Sequence, residues 1–169
     1  MTGGASGGED FPFWSFSLDL YARPGVAPAC LALQDRFGCD VNILLFALWA
    51  ARCGKALARA DFVALEAAVA SWRGGAVEPI RALRRALKAD ALGAAPVSTE
   101  QVRAKLLEAE LQGEKAAQEM LARAVFLPSP GEGAVDPALA GGNLAAYLGW
   151  RKVGAEEARR LAETLLSAL

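Results

Sequence analysis

The chain contains no histidine, and that absence excludes more chemistry than any residue present asserts. It removes the side chain that titrates near neutral pH, every Ser-His-Asp or Cys-His arrangement, and most zinc, copper and non-haem iron centres, for which imidazole is the commonest ligand. Cysteine is scarce too. There are 3, an odd number, in a chain whose opening MTGGASGGED has neither the basic segment nor the apolar run of a secretory leader. The thiols therefore read as reduced and the protein as cytoplasmic. No sign of charge dominates: 18 Lys and Arg stand against 19 Asp and Glu, a formal net charge of −1. Without a global field to hold a polyanion, bulk charge argues against a nucleic-acid partner. A long apolar run is also missing, since the most apolar stretch, Val41 to Ala51, offers about 11 positions where a spanning helix needs roughly 20.

What remains is a composition that is 54% hydrophobic and 22% charged over 169 residues, enough for one domain with a core. Ala, Leu and Arg outnumber Ile, Val and Thr, which favours helix over strand. The predicted fold class is all-α: a compact bundle of about six helices with a central buried helix over 40–53, followed by a C-terminal helical hairpin. The predicted divisions are a disordered start over 1–9, a bundle over 10–126, a flexible Pro/Gly-rich linker over 127–142, and the hairpin over 143–169.

The stretch GCDVNILLFALWAARCGK supplies the central helix. Gly38 can end the preceding helix in a left-handed conformation, Asp40 can cap the next, and Gly54 stops it. Apolar residues on every side of this helix imply burial on every side. Cys39 and Cys53 fall about 14 residues apart along it, roughly 20 Å at about 1.5 Å per residue, beyond disulfide reach. Cys30 reads as a small hydrophobe, and neither a metal nor a cofactor is expected. Asn42 is the one polar residue inside the run. Its amide either bonds backbone near the helix start or joins Gln34, Asp35 and Asp40 in a polar corner between two helices.

The first helix is expected to open at Asp10, with Pro12 in its first turn and Trp14, Leu18 and Tyr21 on one stripe. A second runs from Val26 to Phe37. A fourth starts at Asp61 and is ended by Arg73-Gly74-Gly75. The fifth, from Glu78, carries Ile80, Leu83 and Leu87 on one stripe and Arg81, Arg84, Arg85 and Lys88 on another. Such a basic stripe is either solvated or matched by an acidic neighbour, or it holds an anionic partner. A capping box at Ser98 and Gln101 opens a long helix reaching Val125, apolar along two faces. Ala109, Gly113 and Ala117 on it permit close approach of another helix, and Glu110 and Glu114 can match the arginines, within the chain or across a dimer. Beyond the linker, Asn143 reads as the cap of the hairpin.

The run FWSFSLDLYARPGVAPACLALQDRFGCDVNILLFALWAARCG, followed by VEPIRALRRALK, resembles a family of small helical proteobacterial proteins classed as a domain of unknown function. The resemblance covers most of residues 11–125, carried by aromatic, Gln-Asp, Asp-Val-Asn and Arg-rich elements in order, and thins beyond Pro128. It implies an all-helical fold and brings no activity, cofactor or catalytic residue.

No phosphate loop, nucleophile elbow or dinucleotide fingerprint is present. The chain therefore reads as a non-enzymatic interaction or adaptor protein, with a protein partner or a second copy expected and an acidic partner suited to the basic stripe. The alternative is a small-molecule protein, enzyme or carrier. It would have an apolar cavity around Phe13, Trp14, Phe46 and Trp49, with Asp35, Asp40 and Asn42 at its mouth.

Overall fold

The computed structural model describes residues 11–89, 93 and 96–169, and every described element is helical. The expected disordered start, Asp10 and the side chain of Ser98 lie outside the described residues. Among the described residues, six α-helices precede residue 126: α1 (Pro12–Tyr21), α2 (Val26–Phe37), α3 (Val41–Arg52), α4 (Arg59–Trp72), α5 (Glu78–Lys88) and α6 (Pro96–Ala124). Two follow, α7 (Pro137–Trp150) and α8 (Glu156–Ser167). The bundle with a central helix is the architecture that the sequence predicts.

Local signals place most of these ends. Gly38 takes a φ of +64°, a left-handed conformation in which a side chain is strained, and there α2 stops. Two residues on, the Asp40 side chain accepts from the N–H groups of Asn42 (2.8 Å) and Ile43 (3.2 Å), capping α3. From Asn42 to Leu48 every residue of α3 is buried, and each large apolar side chain withdrawn from water there contributes roughly 1.5–3 kcal/mol.

Several boundaries differ from expectation. Helix α1 opens at Pro12, after an extended Phe11, rather than at Asp10, and α6 is already helical at Pro96, two residues before the expected cap Ser98. Helix α4 begins at Arg59, and Asp61 sits one turn inside it, its carboxylate accepting from the Ala58 N–H at 2.8 Å and from Lys55. Helix α4 does end where the Arg-Gly-Gly sequence begins, at Trp72, but the chain does not turn away there. Arg73–Val77 forms a single π-helical turn that carries the chain straight into α5. Gly113 explains the small residues of α6: a Cβ there would meet Val77 Cγ2 of that turn at 3.2 Å, and its carbonyl accepts from Trp72 Nε1 at 2.9 Å.

A further correction concerns the C-terminal segment. Helix α7 starts at Pro137, capped by Asp136, so residues 137–142 are helix rather than linker. Asn143 is no cap. It is 2% exposed in mid-helix, where its amide accepts from the Leu57 N–H (2.8 Å) and donates to the carbonyls of Ala47 (3.0 Å) and Lys55 (2.9 Å). The Lys55 and Leu57 groups lie at the irregular exit of α3, where helical partners run out, while the Ala47 carbonyl belongs to the helix itself. Leu144, Tyr147 and Leu148 join the same core cluster as α3, so the hairpin is part of the bundle.

Helix α5 has no buried residue, and the first half of α6 stands with it outside the core: Val102, Leu107 and Leu111 are exposed. The two apolar stripes foreseen along α6 are therefore buried only in its second half, among them Gly113, Ala117 and Leu121. This projecting α5–α6 pair forms one wall of a cleft.

Candidate functional site

The cleft has a volume of about 340 Å³ and opens between α1 and α2 on one side and α5 and α6 on the other. Trp14, Leu18 and Tyr21 face it from α1, following helical spacing, and Leu31 from α2. Leu107 and Leu111 face it from α6, while Val41, Asn42 and Leu45 of α3 form its floor.

The expected cavity lies elsewhere. Phe13, Phe46 and Trp49 fill one another's space, Phe13 meeting Phe46 edge-on at 5.4 Å and lying stacked on Trp49 at 6.2 Å. Of the four aromatics foreseen around a ligand, only Trp14 lines the cleft.

The basic stripe divides. Arg81 binds Glu110 at 2.9 Å and also Glu114, and Arg84 binds Glu110 at 2.6 Å. Those two guanidinium groups are thus matched within the chain. Arg85, on the cleft rim, is 54% exposed and approaches Asp35 at 3.9 Å, a geometry that contributes little in water. Lys88 is exposed and lies outside the cleft lining.

The polar corner divides as well, because neighbouring residues on a helix point about 100° apart. Gln34 turns toward the cleft and shares a small cavity with Asp40 and Asn42, whereas Asp35 turns outward to Arg85. Asp40 is committed to architecture. Beyond its cap it accepts from Arg73 at 2.7 Å, and that arginine also holds Glu66. The Glu66 bond foremost, with Asp40, outweighs burial and raises the Arg73 pKa.

Asn42 does not spend its amide on nearby backbone. Its Nδ2 donates to Glu114 and its Oδ1 accepts from Gln118 Nε2 at 3.0 Å, linking α3 to α6. Burial pushes the Glu114 carboxyl above the usual carboxylate range, against the opposing pull of Asn42 and Arg81. Glu110 goes the other way: burial acts upward, but the bonds from Arg84 and Arg81 hold it below that range. Tyr21 is raised, chiefly by burial.

Two residues that line this cleft each carry a buried side-chain atom without a hydrogen-bond partner: Ser17 Oγ, on a residue 3% exposed, and Gln118 Oε1, on a residue 2% exposed. Buried polar atoms are nearly always paired, and an exception at the base of a cleft is where a ligand can complete the set. Neither residue stands out in the sequence. Gln118 lies four residues after Glu114, and only the position of Asn42 opposite reveals that the two belong together.

The thiols stay out of this chemistry. All three are free and buried, and burial pushes Cys30 up to about 12 and Cys39 up to about 11. No described helix is long and apolar enough to cross a membrane.

Fold and cleft together define an all-helical protein with an apolar-walled cleft seated on a polar network. The chain belongs to the family described as "Protein of unknown function (DUF2390)", whose model matches residues 12–121, that is α1 to most of α6. No curated protein and no solved structure matches it. Helices α7 and α8, which cover α3 and α2, lie beyond the matched segment.

Proposed function

We propose that the protein is a non-enzymatic binding protein that takes a small, largely apolar molecule into the cleft between α1–α2 and α5–α6. The observation that carries this is the meeting, in one cleft of about 340 Å³, of leucine and tryptophan walls with two buried polar atoms that lack partners. Ligand sites of roughly 300–1,000 Å³ combine apolar walls with a few placed polar groups in this way. The matched arginines support binding over catalysis, since Glu110 and Glu114 are both engaged by cations. Three unpaired thiols support a place in the reducing cytoplasm.

The test is titration with Nile red, a neutral dye whose emission shifts on leaving water. Saturable binding is expected, lost in Leu107→Gln/Leu111→Gln. Both leucines are already about half exposed, so circular dichroism should stay unchanged. Absence of binding by the folded wild type would overturn the proposal.

A second reading, an interaction protein that seats the apolar face of a partner helix in the same cleft, is favoured by four half-exposed leucines around it: Leu18, Leu31, Leu107 and Leu111. With a second copy as partner, sedimentation would show a concentration-dependent dimer that the double Gln variant abolishes.

A further inference from the structure

The polar floor of the cleft has a direction. Glu114 receives the guanidinium of Arg81 and the side-chain amide of Asn42. An ionised carboxylate only accepts, so Asn42 must turn its Nδ2 toward Glu114 and its Oδ1 the other way. Gln118 meets that oxygen with its Nε2, at 3.0 Å, and is thereby forced to leave Oε1 facing elsewhere. Each amide is oriented by the group before it. The chain Arg81, Glu114, Asn42, Gln118 therefore ends in a buried acceptor with nothing to accept from.

We infer that the cleft selects an uncharged amphiphile leading with a hydrogen-bond donor, an alcohol or a primary amide, whose O–H or N–H group satisfies Gln118 Oε1 while its hydrocarbon lies along Trp14, Leu18 and Leu111. This deepens the small-ligand proposal above and rests on it. The Ser17 hydroxyl can donate or accept and suits either head group.

The arginines around the cleft suggest an anionic ligand at first sight, but their engagement argues otherwise. Arg81 and Arg84 are held by Glu110 and Glu114, and Arg85 stands out on the exposed rim beside Asp35. A carboxylate driven to the base of the cleft would set an acceptor against the Gln118 acceptor and bring a second anion toward Glu114. A fatty acid is thus the wrong polarity for this floor, whereas the corresponding alcohol is the right one.

The experiment is displacement of bound Nile red from the full chain at neutral pH by octanol, octanamide, heptyl methyl ether and octanoate. The ether matches the alcohol in size, accepts but cannot donate, and as the more apolar compound would win on burial alone. Octanol and octanamide are expected to displace the dye at about tenfold lower concentration than the ether, the worth of one hydrogen bond to a buried acceptor, with octanoate the weakest. In Gln118→Leu the alcohol's advantage over the ether should vanish. Glu114→Gln frees the relay to reverse and should shrink the gap between octanol and octanoate. Failure of Gln118→Leu to fold would leave the wild-type ranking as the deciding result. If ether or octanoate displaces the dye as well as octanol does, the inference falls while the cleft proposal stands. If Nile red does not bind at all, both fall.

Discussion

The hydroxyl of Tyr147 accepts the backbone N–H of Asp40 at 2.9 Å, so a residue of α7 holds the cap residue of α3 from 107 positions away. Tyr147 is fully buried, stacked with Trp150 and close to Phe62, and burial raises its hydroxyl pKa well above the usual value. Tyr147→Phe keeps the ring and removes the oxygen. It should destabilise the fold by about 1–3 kcal/mol, the cost of leaving one buried N–H without a partner, read from urea unfolding. No measurable loss would show that water takes the hydroxyl's place.

Asn143 ties α7 to the exit of α3 through three hydrogen bonds. Asn143→Leu, close in volume, leaves the Leu57 N–H and the Lys55 carbonyl unsatisfied, so a loss of roughly 2–4 kcal/mol is expected in urea unfolding. A cap at that position would cost only about 1 kcal/mol, which makes the magnitude the discriminating measurement.

Glu110 and Glu114 should give stability opposite dependences on pH. Glu110 ionises more readily folded than unfolded, so its contribution is present above about pH 4.3, the ordinary glutamate value, and is lost as pH falls through its lower folded value. Glu114 holds its proton to higher pH when folded, so stability falls as pH rises from about 4.3 through the folded value. Urea midpoints of wild type, Glu110→Gln and Glu114→Gln across this range should show the advantage of wild type over Glu110→Gln shrinking on acidification. The difference between wild type and Glu114→Gln should move the other way, and equal slopes would contradict the assignment.

Burial protects the cysteines. With Cys30 pushed up to about 12 and Cys39 up to about 11, little thiolate exists at mildly alkaline pH, and iodoacetamide should leave the native protein unlabelled by mass spectrometry. In urea all three thiols should react. Labelling of Cys30 in the native state would mean that the junction of α2 with the core opens.

Much of the fold is legible from local patterns. Asp40 before an apolar run and Gly38 before Asp40 are signals confined to a few residues, and α3 starts where they place it. Local patterns also mislead where one residue type serves two ends. Asn143 favours a cap by local propensity, yet the backbone groups beyond the end of α3 that claim it belong to Lys55 and Leu57, nearly a hundred positions away. Gly74 and Gly75 carry the usual sign of a helix end, but the backbone continues through them as a π turn, held where Trp72 and Val77 meet Gly113.

The sequence by itself determined an all-helical chain with a buried central helix, because periodicity, caps and stops act over a handful of residues and the hydrophobic effect needs no particular partner. Only the tertiary structure decided what the polar residues do. Hydrogen bonds and ion pairs are directional and short, so which carboxylate meets Arg81, which amide meets Asn42, and that Gln118 Oε1 is left with none, were settled by the packing of α6 against α3 and α5.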